Sequence, residues 1–124
     1  MISRAMRVYF VISTTEFDTN QAISVVGYAP DRIRRIGEPV MPQSPKSVDS
    51  NYFRFPIITS PSSVVVNQEL TRFIFERRTK LKKCRNAYKY FDIVADDKDD
   101  GLFFSRDLIR VMRESGVQVQ IDIE

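Results

Sequence analysis

The fold is decided at the C-terminal end of the chain, which reads Ser105-Arg-Asp-Leu-Ile-Arg-Val-Met-Arg-Glu-Ser-Gly116 and then Val117-Gln-Val-Gln-Ile-Asp-Ile-Glu124. In the second part apolar and polar residues alternate strictly, which is typical of a strand with one buried and one solvated face. In the first part apolar residues recur at helical spacing between Ser105, a residue type that caps helices, and Gly116, which can adopt the left-handed conformation that ends them. Together these residues predict a helix packed on a sheet.

Three further segments have the composition of strands. Residues 7–13 are aromatic and β-branched throughout, which predicts a strand that is buried on both faces at the centre of its sheet. Residues 51–58 alternate but contain Pro56, which predicts an edge strand or a β-bulge at that point. Residues 87–94 form the third strand, and residues 102–104 are expected to return beside it as the short arm of a hairpin.

Two more helices are indicated upstream. A short one begins with a capping box of Asp18 and Gln21 and ends at Gly27. A long one runs from about Val64 to Cys84 after a serine-rich break that supplies its cap. Its apolar stripe consists of Val66, Leu70, Phe73, Ile74, Leu81 and Cys84. Its surface pairs are expected to be Glu69 with Arg72 and Glu76 with Lys80.

These elements predict an α+β fold in the order β-α-β-α-β-β-α-β. We expect two layers, with a mixed sheet of four or five strands, three helices on one face, and the other face partly open. The length of 124 residues suits a single globular domain spanning residues 1–124. Residues 38–51 form a long loop that contains several prolines, and loops of this length are either functional or mobile, with mobility favoured here.

The composition indicates a soluble protein. The apolar run of residues 8–12 is too short for the core of a signal peptide or for a membrane span, so the sequence predicts a cytoplasmic location. The single cysteine, Cys84, cannot form an internal disulfide. Its basic surroundings could activate the thiol, but packing in a helix is the favoured interpretation.

Catalytic chemistry finds little support in these residues. The chain has no histidine, which removes the Ser-His-Asp triad and the common zinc sites together. The cluster Asp96, Asp97, Asp99 and Asp100 resembles a calcium loop, but Lys98 stands at the third ligand position, so a solvated turn is favoured over a metal site. We therefore expect no catalytic residue, no cofactor and no metal ion, and a protein that is not an enzyme.

Charge is distributed unevenly along the chain. The net formal charge is +2 for residues 1–46, +5 for residues 47–95 and −4 for residues 96–124. The basic run of residues 77–85, with Tyr88 and Tyr90 nearby, could bind nucleic acid or could be a solvated helix face. A second basic group, Arg32, Arg34 and Arg35 with Lys46, could form an anion-binding patch or consist of ordinary surface side chains.

The order of several short motifs resembles a known family. These motifs are the aromatic first strand, a short helix ending in Gly27, Pro30-Asp-Arg, Gly37-Glu38, Gly101-Leu-Phe-Phe-Ser105, and Gly116 followed by Ile121-Asp-Ile123. In this order they are similar to a bacterial family of small stand-alone domains of unknown function, number four-two-seven-nine. The resemblance spans nearly the whole chain.

This resemblance implies an immunity role, because some small proteins of this kind are encoded beside polymorphic toxins. The protein would bind a cognate toxin domain, such as a contact-dependent or polymorphic toxin nuclease, and neutralise it by protein–protein interaction. For a basic toxin the expected partner-binding residues are acidic, namely Asp96, Asp97, Asp99, Asp100 and Glu114. For an acidic toxin they are Arg77, Arg78, Lys80, Lys82 and Lys83. The alternative function is a nucleic-acid-binding or regulatory module that uses the basic helix of residues 77–85.

Deleting residues 117–124 should unfold the domain. The four apolar side chains of this strand would each contribute about 1.5–3 kcal/mol on burial, and their loss leaves the preceding helix without its partner. Circular dichroism of the shortened chain is the measurement. A deletion variant that keeps the native spectrum and a cooperative thermal transition would contradict the assignment.

Overall fold

The computed structural model describes residues 5–39, 48–95 and 102–123, which form one five-stranded sheet and three helices. The elements are β1 (Met6–Thr14), α1 (Thr19–Val26), β2 (Arg32–Arg34), β3 (Asn51–Ser60), α2 (Ser63–Lys83), β4 (Ala87–Ala95), α3 (Arg106–Ser115) and β5 (Val117–Ile123). The strand order is β2-β3-β1-β4-β5, and all pairs are antiparallel except β4 with β5. The predicted α+β class is confirmed, and β1 is the central strand as expected.

The hydrophobic core lies between the sheet and the three helices. Val8, Phe10 and Ile12 of β1 are fully buried there, together with buried residues of every helix. The ring of Phe10 lies 5.0 Å from that of Phe73 and 5.7 Å from that of Phe91, measured between centroids. These aromatic contacts join α2, β1 and β4.

The predicted hairpin at residues 102–104 is wrong, since these residues form no strand. Both edges of β4 are already occupied, by β1 on one side and by β5 on the other. Leu102 and Phe104 pack against the core instead. The segment is fixed by Asn67, whose side chain donates to the carbonyl of Phe103 (2.8 Å) and accepts from the amide of Ser105 (2.6 Å).

The fifth strand comes from an earlier part of the chain. β2 pairs with β3 over three residues, and the guanidinium of Arg54 holds the turn before it by donating to both carboxylate oxygens of Asp31, at 3.0 and 3.1 Å. The observed order of elements is therefore β-α-β-β-α-β-α-β. After β2, the long loop is closed at its base by two hydrogen bonds, from the amide of Gly37 to Val48 and from the amide of Val48 to Glu38. Residues 40–47 of that loop lie outside the described part.

Local signals near the helix ends and in β3 are confirmed. Asp18 and Gln21 form the capping box of α1, and Gly27 ends the helix with a φ of 98°. The pairing of β1 with β3 changes register between Val8 and Tyr9, opposite Pro56, which is the predicted bulge.

One of the two expected surface pairs on α2 is wrong. Glu69 and Arg72 do form an ion pair. Glu76 instead contacts the guanidinium of Arg72 at 3.7 Å, while Lys80 donates to the carbonyl of Ser24 in α1 at 2.8 Å. The lysine reaches the C-terminal end of a neighbouring helix, where a cation is favoured by the helix dipole.

The final strand is buried only where it begins. Val117, Val119, Ile121 and Ile123 all point to the helix side, as the alternation predicts. Val117 is buried, but Ile121 is 41% exposed and Ile123 is 60% exposed. The expectation of a fully buried apolar face is wrong for these two, because β5 is an edge strand and the described helices leave its second half uncovered.

A buried lysine joins the two long helices to the sheet. Lys89 of β4 is 6% exposed, and its ammonium donates to the carbonyl of Leu81 (2.8 Å) and to that of Ser115 (2.9 Å). These carbonyls lie in the last turns of α2 and α3, where backbone acceptors have no partner within their own helix. Burial lowers the pKa of Lys89. One side chain therefore satisfies the ends of two helices.

The cysteine is a packing residue, which agrees with the favoured interpretation. Cys84 is buried at the end of α2, and its thiol donates to the carbonyl of Lys80 at 3.3 Å. Burial raises the pKa of the thiol, which keeps it in the unreactive form.

Replacing Lys89 by methionine should lower the free energy of unfolding by about 2–4 kcal/mol, because two charge-assisted hydrogen bonds are lost and the carbonyls of Leu81 and Ser115 lose a charged donor. Urea denaturation measures the effect. The matched control is Lys82→Met on the exposed face of α2, which should change stability by less than about 0.5 kcal/mol. Equal effects for the two variants would show that Lys89 does not hold the helix ends.

Candidate partner-binding surface

The face of the sheet turned away from the core is the most distinctive surface of the molecule, and we call it the open face. None of the described helices packs on it. The strand registers place side chains from all five strands there. They include Arg32 and Arg34 of β2, Tyr52, Arg54 and Pro56 of β3, Arg7, Tyr9, Val11 and Ser13 of β1, Tyr88, Tyr90, Asp92 and Val94 of β4, and Gln118, Gln120 and Asp122 of β5.

Tyrosines occupy the middle of the open face. The rings of Tyr88 and Tyr90 contact each other with centroids 5.0 Å apart, and the hydroxyl of Tyr88 donates to the side-chain oxygen of Gln118 at 3.0 Å. Burial, together with nearby acidic groups, raises the pKa of Tyr90 to about 12. Tyr90 therefore stays neutral and can donate a hydrogen bond over the whole physiological pH range.

The β2 and β3 side of the open face is basic. The guanidinium of Arg54 lies 4.2 Å from the centroid of the Tyr9 ring, while it also bonds Asp31. Arg32 pairs with Arg54 across the strands, and Arg34 pairs with Tyr52. Stacking and the ion pair hold the Arg54 side chain in one orientation, so little conformational entropy remains to be lost on binding.

The β4 and β5 side of the open face is acidic. The pKa of Asp92 is raised to about 7. Burial is the main cause, and the neighbouring Asp122 carboxylate is the second. The hydrogen bond with Asp92 lowers the pKa of Asp122, which also accepts from the side chain of Gln120 at 3.2 Å. One oxygen of Asp92 is buried without a hydrogen-bond partner in the structure. Below about pH 7 the pair therefore holds a proton on Asp92 and a negative charge on Asp122.

The side chains of the open face are packed against one another around Val11 of the central strand. Val11 points to this side from the central strand, yet it is completely buried. Its cross-strand neighbours are the long side chains of Arg54 and Tyr90, which account for its burial. A partner would therefore contact side chains that are already packed, so that less side-chain conformational entropy would be lost on binding.

The residues predicted to bind a basic partner are only partly placed. Asp96, Asp97, Asp99 and Asp100 lie outside the described residues. Glu114 is exposed on α3, where it lines a cavity of about 390 Å³ between α2 and α3 together with Arg78, Lys82 and Arg110. The structure thus brings Glu114 close to two members of the alternative, basic set.

The basic set is divided into two groups. Arg77 donates to the carbonyls of Val26 (2.7 Å) and Phe73 (3.2 Å), and Lys80 donates to that of Ser24, so both connect α2 to its surroundings. Arg78 stacks on Phe75 at 4.2 Å and is exposed, as are Lys82 and Lys83. Of the five, only Arg77 is half-buried; Lys80 is exposed like the second group, although its ammonium already bonds the Ser24 carbonyl.

The second basic group is divided in the same way. Arg32 and Arg34 lie on the open face, whereas Arg35 lies 4.0 Å from Glu38. Lys46 is outside the described residues. Sequence reasoning thus identified Tyr88, Tyr90 and two of these arginines but did not place them on one surface. The polar positions in the alternation of each strand, combined with the order of the strands, could have shown that these residues share one face.

Comparisons with known proteins returned no match to this chain among family models, curated proteins or solved structures. None of the helices among the described residues is both long and apolar enough to cross a membrane. The resemblance to family four-two-seven-nine stays a prediction.

The Asp92–Asp122 pair should make stability depend on pH. The pKa of Asp92 has its ordinary value of 3.8 in the unfolded chain and is raised to about 7 in the folded protein. Its contribution to the free energy of unfolding is therefore present below 3.8 and is lost as the pH rises through about 7.

The test is the variant Asp92→Asn, which removes this titration. Between about pH 5 and about pH 8, its free energy of unfolding should fall less than that of the native protein. Asp107→Asn, at an exposed site on α3, is the control and should follow the native curve. Parallel curves for the native protein and Asp92→Asn would contradict the assignment.

Proposed function

We propose that this protein binds another protein through its open face and inhibits it, and that the partner is a bacterial toxin domain, such as a contact-dependent or polymorphic toxin nuclease. The observation that carries the proposal is a sheet face that no described helix covers, on which four tyrosines lie between arginines and acidic side chains. The toxin as partner rests on the resemblance in sequence.

The residue types on the open face favour a protein partner. Tyrosine and arginine are enriched at the energetic centres of protein interfaces, because each combines a large contact area with hydrogen bonding. Tyrosine also loses little conformational entropy on binding. The ring contacts of Tyr88 with Tyr90 and of Arg54 with Tyr9 order these side chains before a partner arrives.

The open face is basic at one side and acidic at the other, so it can orient a charged partner. Arg32, Arg34 and Arg54 lie at the β2 and β3 side, and Asp92 and Asp122 lie at the β4 and β5 side. A partner with carboxylates opposite the arginines and a lysine or arginine opposite the carboxylates would be oriented during encounter. Wrong partners would place like charges together. Occupying the surface of the toxin in this way would block access of its substrate.

A nucleic-acid-binding or regulatory module is the second candidate. Tyrosines and arginines on an open sheet can stack on bases, and the exposed Arg78, Lys82 and Lys83 could contact phosphates. The carboxylate of Asp122 on the same face would repel a phosphate backbone. Arg77 and Lys80 are engaged in contacts with α1, which leaves a smaller basic patch than the sequence indicates. These observations support the proposal of protein binding over that of nucleic-acid binding.

The experiment is co-expression with a toxin domain taken from a gene adjacent to the gene for this protein. The native chain should protect growth, and it should form a complex with an inactive toxin variant in calorimetry. The double variant Tyr88→Ala with Tyr90→Ala should weaken the complex by about thirtyfold or more, because loss of a binding hot spot costs at least about 2 kcal/mol. Growth protection should decline with affinity.

Matched variants test other surfaces in the same assay. Phe75→Ala removes an exposed aromatic ring from the helical layer and should leave affinity unchanged. Asp97→Lys with Asp99→Lys tests the acidic segment, and Lys82→Glu with Lys83→Glu tests the exposed basic group. Loss of binding in either of these pairs, with native affinity in the tyrosine variant, would move the site away from the open face. Salt-sensitive binding of single-stranded RNA by the native chain, without protection from any adjacent toxin, would favour the second candidate.

A further inference from the structure

The outer edge of β5 is an uncovered edge of the sheet. β5 pairs with β4 on one side, and no other described strand lies beside it. The exposed Ile121 and Ile123 lie on the helix side of this edge. Edge strands that must stay single are usually protected by charged side chains, especially lysine, by proline or by a bulge. Residues 117–123 contain neither lysine nor proline, and Asp122 is their one charged residue.

Ile109 of α3 extends the same apolar edge. Arg110, Val111 and Glu114 of that helix line the cavity against α2. With about 3.6 residues per turn, Ile109 then lies on the opposite side of the helix, turned away from α2 and toward the outer edge of the sheet. It is 47% exposed. Three isoleucines are thus left to solvent on one border of the molecule.

We propose that a second copy of this chain covers this border, with the two β5 strands pairing antiparallel about a two-fold axis. Two sheets of five strands would then become one continuous sheet of ten. We keep the helices of both copies on the same side of the joined sheet. Residues that oppose each other across the two strands then point to the same face, so the two-fold axis must pass between two equivalent residues. Only an axis at Gln120 lets all residues from Val117 to Ile123 pair.

On the helix side this register joins apolar residues only. Val117 opposes Ile123 of the second copy, and Val119 opposes Ile121 of the second copy. Each pair is formed twice because of the symmetry. The exposed isoleucines are therefore placed against valines, and cross-strand aliphatic pairs of this kind stabilise antiparallel sheets.

On the open face the same register opposes groups that can hydrogen-bond. Gln118 opposes Asp122 of the second copy, and Gln120 opposes its own equivalent on the axis. An amide can donate to a carboxylate, and two amides can bond each other, so no like charges meet. The strand is complementary to itself on both faces, which favours a second copy over an unrelated strand.

The proposal does not depend on the proposed function, since it concerns an edge of the sheet and can be tested with the purified chain alone. The full chain should sediment as a dimer that dissociates on dilution. Ile121→Lys and Ile123→Lys should each shift it to monomer, because a lysine would be placed in the apolar pairing. Val64→Lys, at an exposed position on α2, is the control and should stay dimeric.

A cysteine on the axis tests the register. In Gln120→Cys the two new thiols would lie opposite each other, within reach of a disulfide or a short bis-thiol linker. In Gln118→Cys they would be about 13 Å apart, because each opposes position 122. Cys84 is buried in both variants.

Efficient covalent dimerisation of Gln120→Cys and poor dimerisation of Gln118→Cys is the expected result. A native chain that is monomeric at every soluble concentration would overturn the proposal. So would a dimer that survives both isoleucine substitutions, or equal linking of the two cysteine variants. Circular dichroism checks that each variant is folded, and the cysteine pair gives an answer even if the isoleucine variants are unstable.

Discussion

The ammonium group of Lys89 is the constraint on which the arrangement of this molecule depends. Two helices, α2 and α3, end close together over one strand, and the carbonyls of Leu81 and Ser115 in their last turns both accept from this ammonium. A single cation placed between them satisfies both and suits the negative ends of both dipoles. Its position also determines how the chain continues, since Gly116 lies against Lys89 and Val117 is its partner in β5.

The consequences reach the opposite side of the sheet. Once Val117 is paired with Lys89, the register of β5 places Gln118 beside Tyr90 and Gln120 beside Asp92. The hydrogen bond of Tyr88 with Gln118 and the shared proton of Asp92 and Asp122 both require that register. A core contact on one face thus positions the polar and aromatic groups of the other.

Much of the fold could be predicted because its signals are local. The capping box of Asp18 and Gln21, the left-handed Gly27 and the bulge at Pro56 each depend on a few neighbouring residues. The failures concern choices between distant partners. Residues 102–104 have strand-like composition, but no edge of β4 is left for them. Ile121 and Ile123 alternate as buried residues would, yet only the tertiary arrangement decides how far the helices extend over them.

The candidate site was harder to predict, for the same reason. Tyr9, Tyr52 and Tyr90 are far apart in the chain, and only the order of the strands brings them to one face. Arg77 and Lys80 belong to a dense basic run, but carbonyls of α1 and α2 engage them. Charge clusters in a sequence show where cations are, and the structure shows which of them are presented to solvent.

The central position of β1 has a consequence for biosynthesis. Arg7 pairs with Thr59 on one side and with Val94 on the other, so the second neighbour of β1 is translated well after the first. β3 is available first and can pair with one edge of this aromatic, β-branched strand, while the other edge stays unpaired until β4 has been made. Such segments attract other nascent chains and the chaperones that shield them, and long-range pairing of this kind slows folding. The yield of folded protein should therefore depend on how well this edge of β1 is protected until β4 is available.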